Sequence, residues 1–134
     1  MQTAAPVAAV SNKTMWVGRV VSLIPAVLVL FGAIMKLIKA DAVVVGMAQH
    51  GIPEHLVVLT GAIESLCAIV YLIPRTAVLG AILMTALFGG ATFTNVRVGD
   101  PTWVVTVVLG VMVWAGLYLR DTQLRELIPL RKRY

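Results

Sequence analysis

The apolar residues of this chain come in long unbroken runs separated by short polar interruptions. The first run extends from Trp16 to about residue 38, with Arg19 near its start, no charge from Val20 to Met35, and Lys36 near its close. The second, Leu56 to Ile73, is 18 residues long and holds one carboxylate, Glu64. The third, Thr76 to Val96, has 21 residues without a charge, and the fourth covers Thr102 to Leu119. A helix needs about 20 predominantly apolar residues to cross a bilayer core. The pattern therefore predicts an all-α fold: a four-helix transmembrane bundle with spans at about 16–38, 55–73, 76–96 and 102–119, together a membrane domain over 15–119. Trp16, Trp103 and Tyr118 stand at span ends, where aromatic residues favour the lipid–water interface. Pro25 removes one backbone donor inside the first span, so a kink is expected there.

The interruptions carry the turn chemistry. Residues 39–53, KADAVVVGMAQHGIP, are too few to span. With Asp41 as a helix cap, Gly51 as a helix end and Pro53 opening the next helix, they predict a short outer interfacial helix, with a continuation of the first span as the alternative. Pro74-Arg75 and the RVGDP stretch of Arg97 to Pro101 predict tight turns, which make consecutive spans antiparallel neighbours. Residues 1–14 read as an N-terminal tail without the basic start of a cleavable signal. Residues 120–134 read as a basic C-terminal tail. There Leu124, Leu127 and Ile128 share one face of an interfacial helix that stops near Pro129, with Arg131, Lys132 and Arg133 at lipid headgroups.

Composition agrees with a membrane domain: 60% of the 134 residues are hydrophobic and 13% are charged, with a mean hydropathy of +0.94. The net charge of +5 raises nucleic acid as a partner, but the basic residues flank spans and do not build a basic surface. No nucleic-acid role is expected. Lys13, Arg19, Arg75, Arg120, Arg125, Arg131, Lys132 and Arg133, eight of the 11 basic residues, fall on the side of both termini. Lys36, Lys39 and Arg97 fall on the other. The positive-inside rule then predicts cytoplasmic termini.

Glu64 poses the chemical question, because a carboxylate in hydrocarbon must be protonated, paired or turned to a polar cavity. It lies eight residues past Leu56, about 12 Å below the outer rim at the helical rise. Lys36 ends the first span in the same leaflet, and the third span ends GGATFTNVR, bringing Asn95 and Arg97 there. The expected polar cluster is Lys36, Glu64, Asn95 and Arg97, with the choice between Lys36 and Arg97 as main partner left open by spacing. Three readings stay open: interhelical glue, a site for a ligand, proton or quinone headgroup, and a contact to another subunit. Gly61, Glu64, Ala68 and Tyr71 share a face of the second span, where small residues admit a neighbouring helix.

Other chemistry is sparse. Cys67 is the single cysteine, so no internal dithiol exists. His50 and His55 lie in the outer loop, where they read as solvated residues. No histidine occurs within a span, as a haem held between helices would need. No metal site and no intrinsic cofactor are expected, and no nucleophile–base arrangement or phosphate loop occurs.

GAIMKL at the end of the first span, the HGIP turn, GAIESLCAIVYLIPRTAVLGAIL and GGATFTNVRVGDP together resemble the DoxX-like family of small four-helix membrane proteins, over about residues 31–101. The resemblance implies a compact bundle in a bacterial cytoplasmic (inner) membrane. It also implies kinship with proteins associated with a thiosulfate:quinone oxidoreductase. By position Lys36 falls on the family's lysine after span one and Glu64 on its glutamate in span two. Arg97, Asp100 and Pro101 fall on the closing turn. Asn95 stands where many relatives are expected to carry histidine, and an amide cannot shuttle a proton near neutral pH.

The resulting expectation is a lipid-embedded protein, more an accessory subunit than an enzyme on its own. It would associate with other membrane subunits or itself, in an assembly where quinone is a possible cofactor. The alternatives are a small-molecule binder or transporter with an outward Glu–Lys pocket, and a structural or assembly factor for another membrane protein.

Overall fold

The structure, a computed structural model, describes residues 11–127. Ser11 caps the first helix, accepting from the Thr14 amide at 3.3 Å, and α1 then runs over Asn12–Leu37 as one helix through Pro25. The helix thus takes in the last residues of the expected tail, because Ser11 satisfies an orphan amide that Trp16, with no acceptor to offer, could not. At its far end Lys39 adopts the left-handed conformation (φ 51°). Lys39 N–H donates to Lys36 O at 3.1 Å and Ala40 N–H to Met35 O at 3.0 Å, the paired bonds of a Schellman cap.

That cap also fixes where α2, Asp41–Gln49, begins: Ala40 is its N-cap, and no side chain caps it. Asp41 was expected to cap the helix; it instead occupies the first turn, where its charge faces the positive end of the helix dipole. Gly51 (φ 79°) ends α2 with the same bond pair seen at α1, Gly51 N–H to Ala48 O and Ile52 N–H to Met47 O.

A single 3-10 turn, Glu54–Leu56, leads into α3, Val57–Leu72. Ile73 is extended (φ −78°, ψ 119°), as the residue before Pro74 must be to avoid the proline ring. After a second 3-10 turn come α4, Ala77–Arg97, and α5, Trp103–Arg120. Four helical segments have the length and hydropathy to cross a membrane, and no strand occurs among the described residues.

The four long helices form a ring in which α1 and α4 each pack against α3 and α5. The core sits towards the end that carries the termini. Tyr71, Met84, Val113 and Leu117 are buried there, and Tyr71 reaches across from α3 to donate to Val113 O on α5 at 2.8 Å. Small residues bring the backbones together. A Cβ on Gly80 would lie 2.2 Å from Tyr71 Cα, and one on Gly116 would lie 2.3 Å from Ser22 Oγ.

The last described helix, α6, is Thr122–Leu127. Asp121 Oδ1 accepts from the Gln123 and Leu124 amides at 2.9 and 3.1 Å. Arg125 donates to Tyr118 O and Leu119 O at 2.7 and 2.9 Å, closing the C-terminus of α5. Leu124 was expected to enter the lipid interface; it is instead buried against the bundle core. Ile128, Pro129 and the basic residues Arg131, Lys132 and Arg133 lie outside the described residues.

Candidate functional site

At the end away from the termini, Gly61 of α3 lets α1 come close. A Cβ there would lie 2.9 Å from Lys36 Cβ and 3.0 Å from Ala33 O. This crossing delivers Lys36, in the last turn of α1, to Glu64, one turn further along α3. Lys36 Nζ donates to Glu64 Oε1, and the two side chains keep only 19% and 15% of their surface exposed. Gly32 leaves room beside the carboxylate, since a Cβ on it would be 4.0 Å from Glu64 Oε2. A carboxylate that spacing left with two candidate cations is therefore paired with Lys36.

The pair lines a cavity of about 550 Å³. Its wall combines Lys36 from α1, Met47 from α2 and His50 just past its end, Thr60 and Glu64 from α3, and Asn95 from α4. Ile63, Ala86 and Leu87 supply apolar surface. Asn95 lines the same cavity as the pair. Arg97 does not: its side chain turns outward, donates to His50 O and packs over Gly51, where a Cβ would meet its Nη2 at 3.1 Å. The reason is register, for two residues on a helix point about 200° apart, so Asn95 and Arg97 cannot both face the cavity.

His50 is the residue that sequence reasoning undervalued. It is not simply solvated: Nδ1 lies 2.7 Å from Gly46 O and Nε2 2.9 Å from Asp100 Oδ2. Both neighbours are acceptors, so the geometry favours the imidazolium form, in which both ring nitrogens carry hydrogen. The Gly46 carbonyl and then the Asp100 carboxylate hold its pKa above the ordinary 6.5. Asp100 in turn accepts from the amide and hydroxyl of Thr102 at 2.9 and 2.8 Å, and these bonds, with His50, hold its pKa below 3.8. The clamp ties the α2 end to the α4–α5 turn. Its signal was present in the sequence, since HGIP and RVGDP are turns that antiparallel spans place at one end. His55 is exposed on the 3-10 turn.

A second and larger groove, about 1030 Å³, opens between α4 and α5 and is lined by residues such as Phe88, Phe93, Val111 and Trp114. Its threonines and tryptophan are paired with each other: Trp114 Nε1 donates to Thr85 Oγ1, and Thr92 and Thr106 share a hydrogen bond, each at 2.7 Å. Among the described residues no three His, Cys, Asp or Glu side chains cluster as a metal site would require. The convergence of charge and hydrogen-bonding capacity thus belongs to the Lys36–Glu64 cavity.

The sequence model of the DoxX-like family matches residues 20–116, 97 of the 134 positions. The chain belongs to the DoxX-like family. No curated protein and no solved structure matches it. The matched region takes in Lys36, Glu64 and Asn95 as well as the clamp residues His50 and Asp100, so the whole site lies within the DoxX-like part of the chain. With its four spanning helices, this DoxX-like chain is a multi-pass integral membrane protein in contact with the lipid bilayer.

Proposed function

We propose that this DoxX-like protein is a non-catalytic, ligand-holding subunit of a larger membrane assembly. Its cavity takes the hydrogen-bonding head of an amphipathic small molecule, of which a quinone is the type that the family resemblance suggests. The observation that carries this reading is the Lys36–Glu64 pair set in the wall of a cavity of about 550 Å³ with apolar and polar sides. Ligand sites fall in this size range and combine mostly apolar walls with a few convergent polar groups. A pair serving only as glue between helices would have no need of a cavity beside it.

The site is placed in the outer leaflet of a bacterial cytoplasmic membrane. In support, Lys13, Arg19, Arg75, Arg120 and Arg125 fall at the end of the bundle that carries the termini, against Lys36, Lys39 and Arg97 at the other. That bias favours cytoplasmic termini. The accessory role is supported by the single cysteine, which offers no dithiol for electron transfer within the chain.

The test is extraction of a tagged chain from native membranes in mild detergent, with identification of co-purifying proteins and assay of bound lipid-soluble redox carriers. Stoichiometric redox partners and a retained carrier that the double variant Lys36→Met with Glu64→Leu releases are the expected result. A lone protein that retains no carrier, before or after the substitutions, would overturn the proposal.

A further inference from the structure

The hydrogen-bonding capacity left over in the cavity specifies more than its size does. His50 offers nothing, because both ring nitrogens are committed to Gly46 O and Asp100. The Thr60 hydroxyl donates to Val57 O and the Thr94 hydroxyl to Gly90 O, each at 2.8 Å. Both threonines therefore present only oxygen lone pairs. Lys36 spends one ammonium hydrogen on Glu64 Oε1 and keeps the others, while Glu64 Oε2 has no partner among the described residues. A spare donor and a spare acceptor thus stand side by side on a dyad of zero net charge.

Each class of head group meets this dyad differently. An anionic head is repelled by Glu64 and a cationic one by Lys36, so neither gains from a neutral pair. A carbonyl accepts from Lys36 but covers Glu64 Oε2 without giving it a hydrogen, and an acceptor left unsatisfied on burial is costly, more so when charged. A neutral hydroxyl serves both partners at once, accepting from Lys36 and donating to Glu64 Oε2. The lone pairs of Thr60 and Thr94 add further acceptors for such a donor, while the Asn95 amide, with a donor and an acceptor of its own, can serve either form.

Resting on the ligand-holding reading above, we infer that the cavity selects the hydroxyl-bearing form of its ligand over the carbonyl form. For a redox carrier this means the quinol over the quinone. Lys36 and Glu64 are the residues that read the difference.

The experiment uses the full chain in lipid nanodiscs under anaerobic conditions. Equilibrium binding is measured for three probes with one alkyl tail: a benzohydroquinone, the matching benzoquinone, and the dimethyl ether of the hydroquinone. The hydroquinone is expected to bind about tenfold more tightly than either of the others, the discrimination of one well-placed hydrogen bond in a partly solvated site. In Glu64→Gln the amide oxygen keeps Lys36 satisfied and the amide N–H₂ replaces the free carboxylate oxygen, so the preference reverses towards the quinone. The double variant Lys36→Met with Glu64→Leu leaves no unpaired charge and loses all preference.

Saturable binding of quinone and hydroquinone with equal affinity, or tighter quinone binding, would overturn this inference and leave the ligand-holding reading standing. A preference that survives in both variants, each shown to be folded by size-exclusion profile and helical content, would overturn the assignment to the dyad. No saturable binding of any probe to the unaltered chain would remove the ligand-holding reading itself.

Discussion

The two ends of the bundle are built on opposite terms. Towards the termini, backbones touch through Gly80 and Gly116, Tyr71 spans the ring, and Leu124 of α6 seals the base. Towards the loops, α1 and α3 still cross tightly at Gly61, but the ends of α4 and α5 are left uncovered. None of α4 beyond Phe88, and none of α5 before Val113, is buried. Hydrocarbon supplies no hydrophobic drive for helices to associate, so close backbone packing must supply it. Concentrating that packing at one end frees the other to hold a cavity with an ion pair in its wall. The difference teaches that close packing and the charged pair in so small a membrane protein are separated along the bilayer normal.

The largest break in this contrast comes from adding atoms at the packed end. Gly80→Val would drive a side chain into the Tyr71 backbone, which cannot give way, and should abolish a folded species by size-exclusion in detergent. Gly116→Ala, against Ser22, should cost about 3 kcal/mol as overpacking does. The same change at Gly89, where a Cβ meets nothing within 4 Å, should stabilise α4 by roughly 0.5–1 kcal/mol through helix propensity. Thermal unfolding of the two alanine variants side by side reads the contrast, and equal losses would refute it.

At the open end, Glu64→Gln exchanges an ion pair for a hydrogen bond to Lys36. It should cost about 1–2 kcal/mol, less than a fully buried pair because both side chains keep some exposure. Back at the packed end, Tyr71→Phe removes one buried hydrogen bond at a cost of about 1 kcal/mol and should leave probe binding at the cavity unchanged. A Tyr71→Phe variant that altered probe binding would show that the two ends are coupled.

The smallest effects concern the rim. His50 has a raised pKa, so its contribution is fully present below 6.5 and is lost as pH rises through the folded value. Asp100 has a lowered pKa, so its contribution is present above 3.8 and is lost as pH falls through the folded value. The clamp is therefore strongest at mildly acid pH. The apparent melting temperature should drop slightly on going alkaline, and His50→Gln should flatten that slope. Lys39→Gly, which relieves a left-handed side-chain-bearing residue, should add about 0.5–1 kcal/mol.

How much of this was legible in the sequence follows from what each signal measures. Hydropathy runs located the four spans because a lipid-exposed helix must be apolar along its length, and Glu64 stood out because nothing else in its run is charged. Depth was also readable, so Lys36, Glu64 and Asn95 were placed in one leaflet. Direction around a helix was harder, since α4 is apolar on every side: nothing in GGATFTNVR says that Asn95 faces inwards and Arg97 outwards. His50 and Asp100 were missed as a pair because they belong to two turns whose apposition depends on the lateral order of the helices. Leu124 was misplaced for a similar reason, as an amphipathic segment after a span fits either the lipid surface or the base of the bundle.

The seam between α1 and α5 joins the first span of the chain to the last. Its tightest contact, Gly18 and Ser22 against Gly116, unites residues that leave the ribosome far apart in time. Until α5 has been inserted, the α1 face that carries Ser22 must rest against lipid or a passing insertase, with a hydroxyl turned to hydrocarbon. A nascent chain halted before Trp103 would hold three spans in an open row, and closure of the ring would be the last event of its biogenesis.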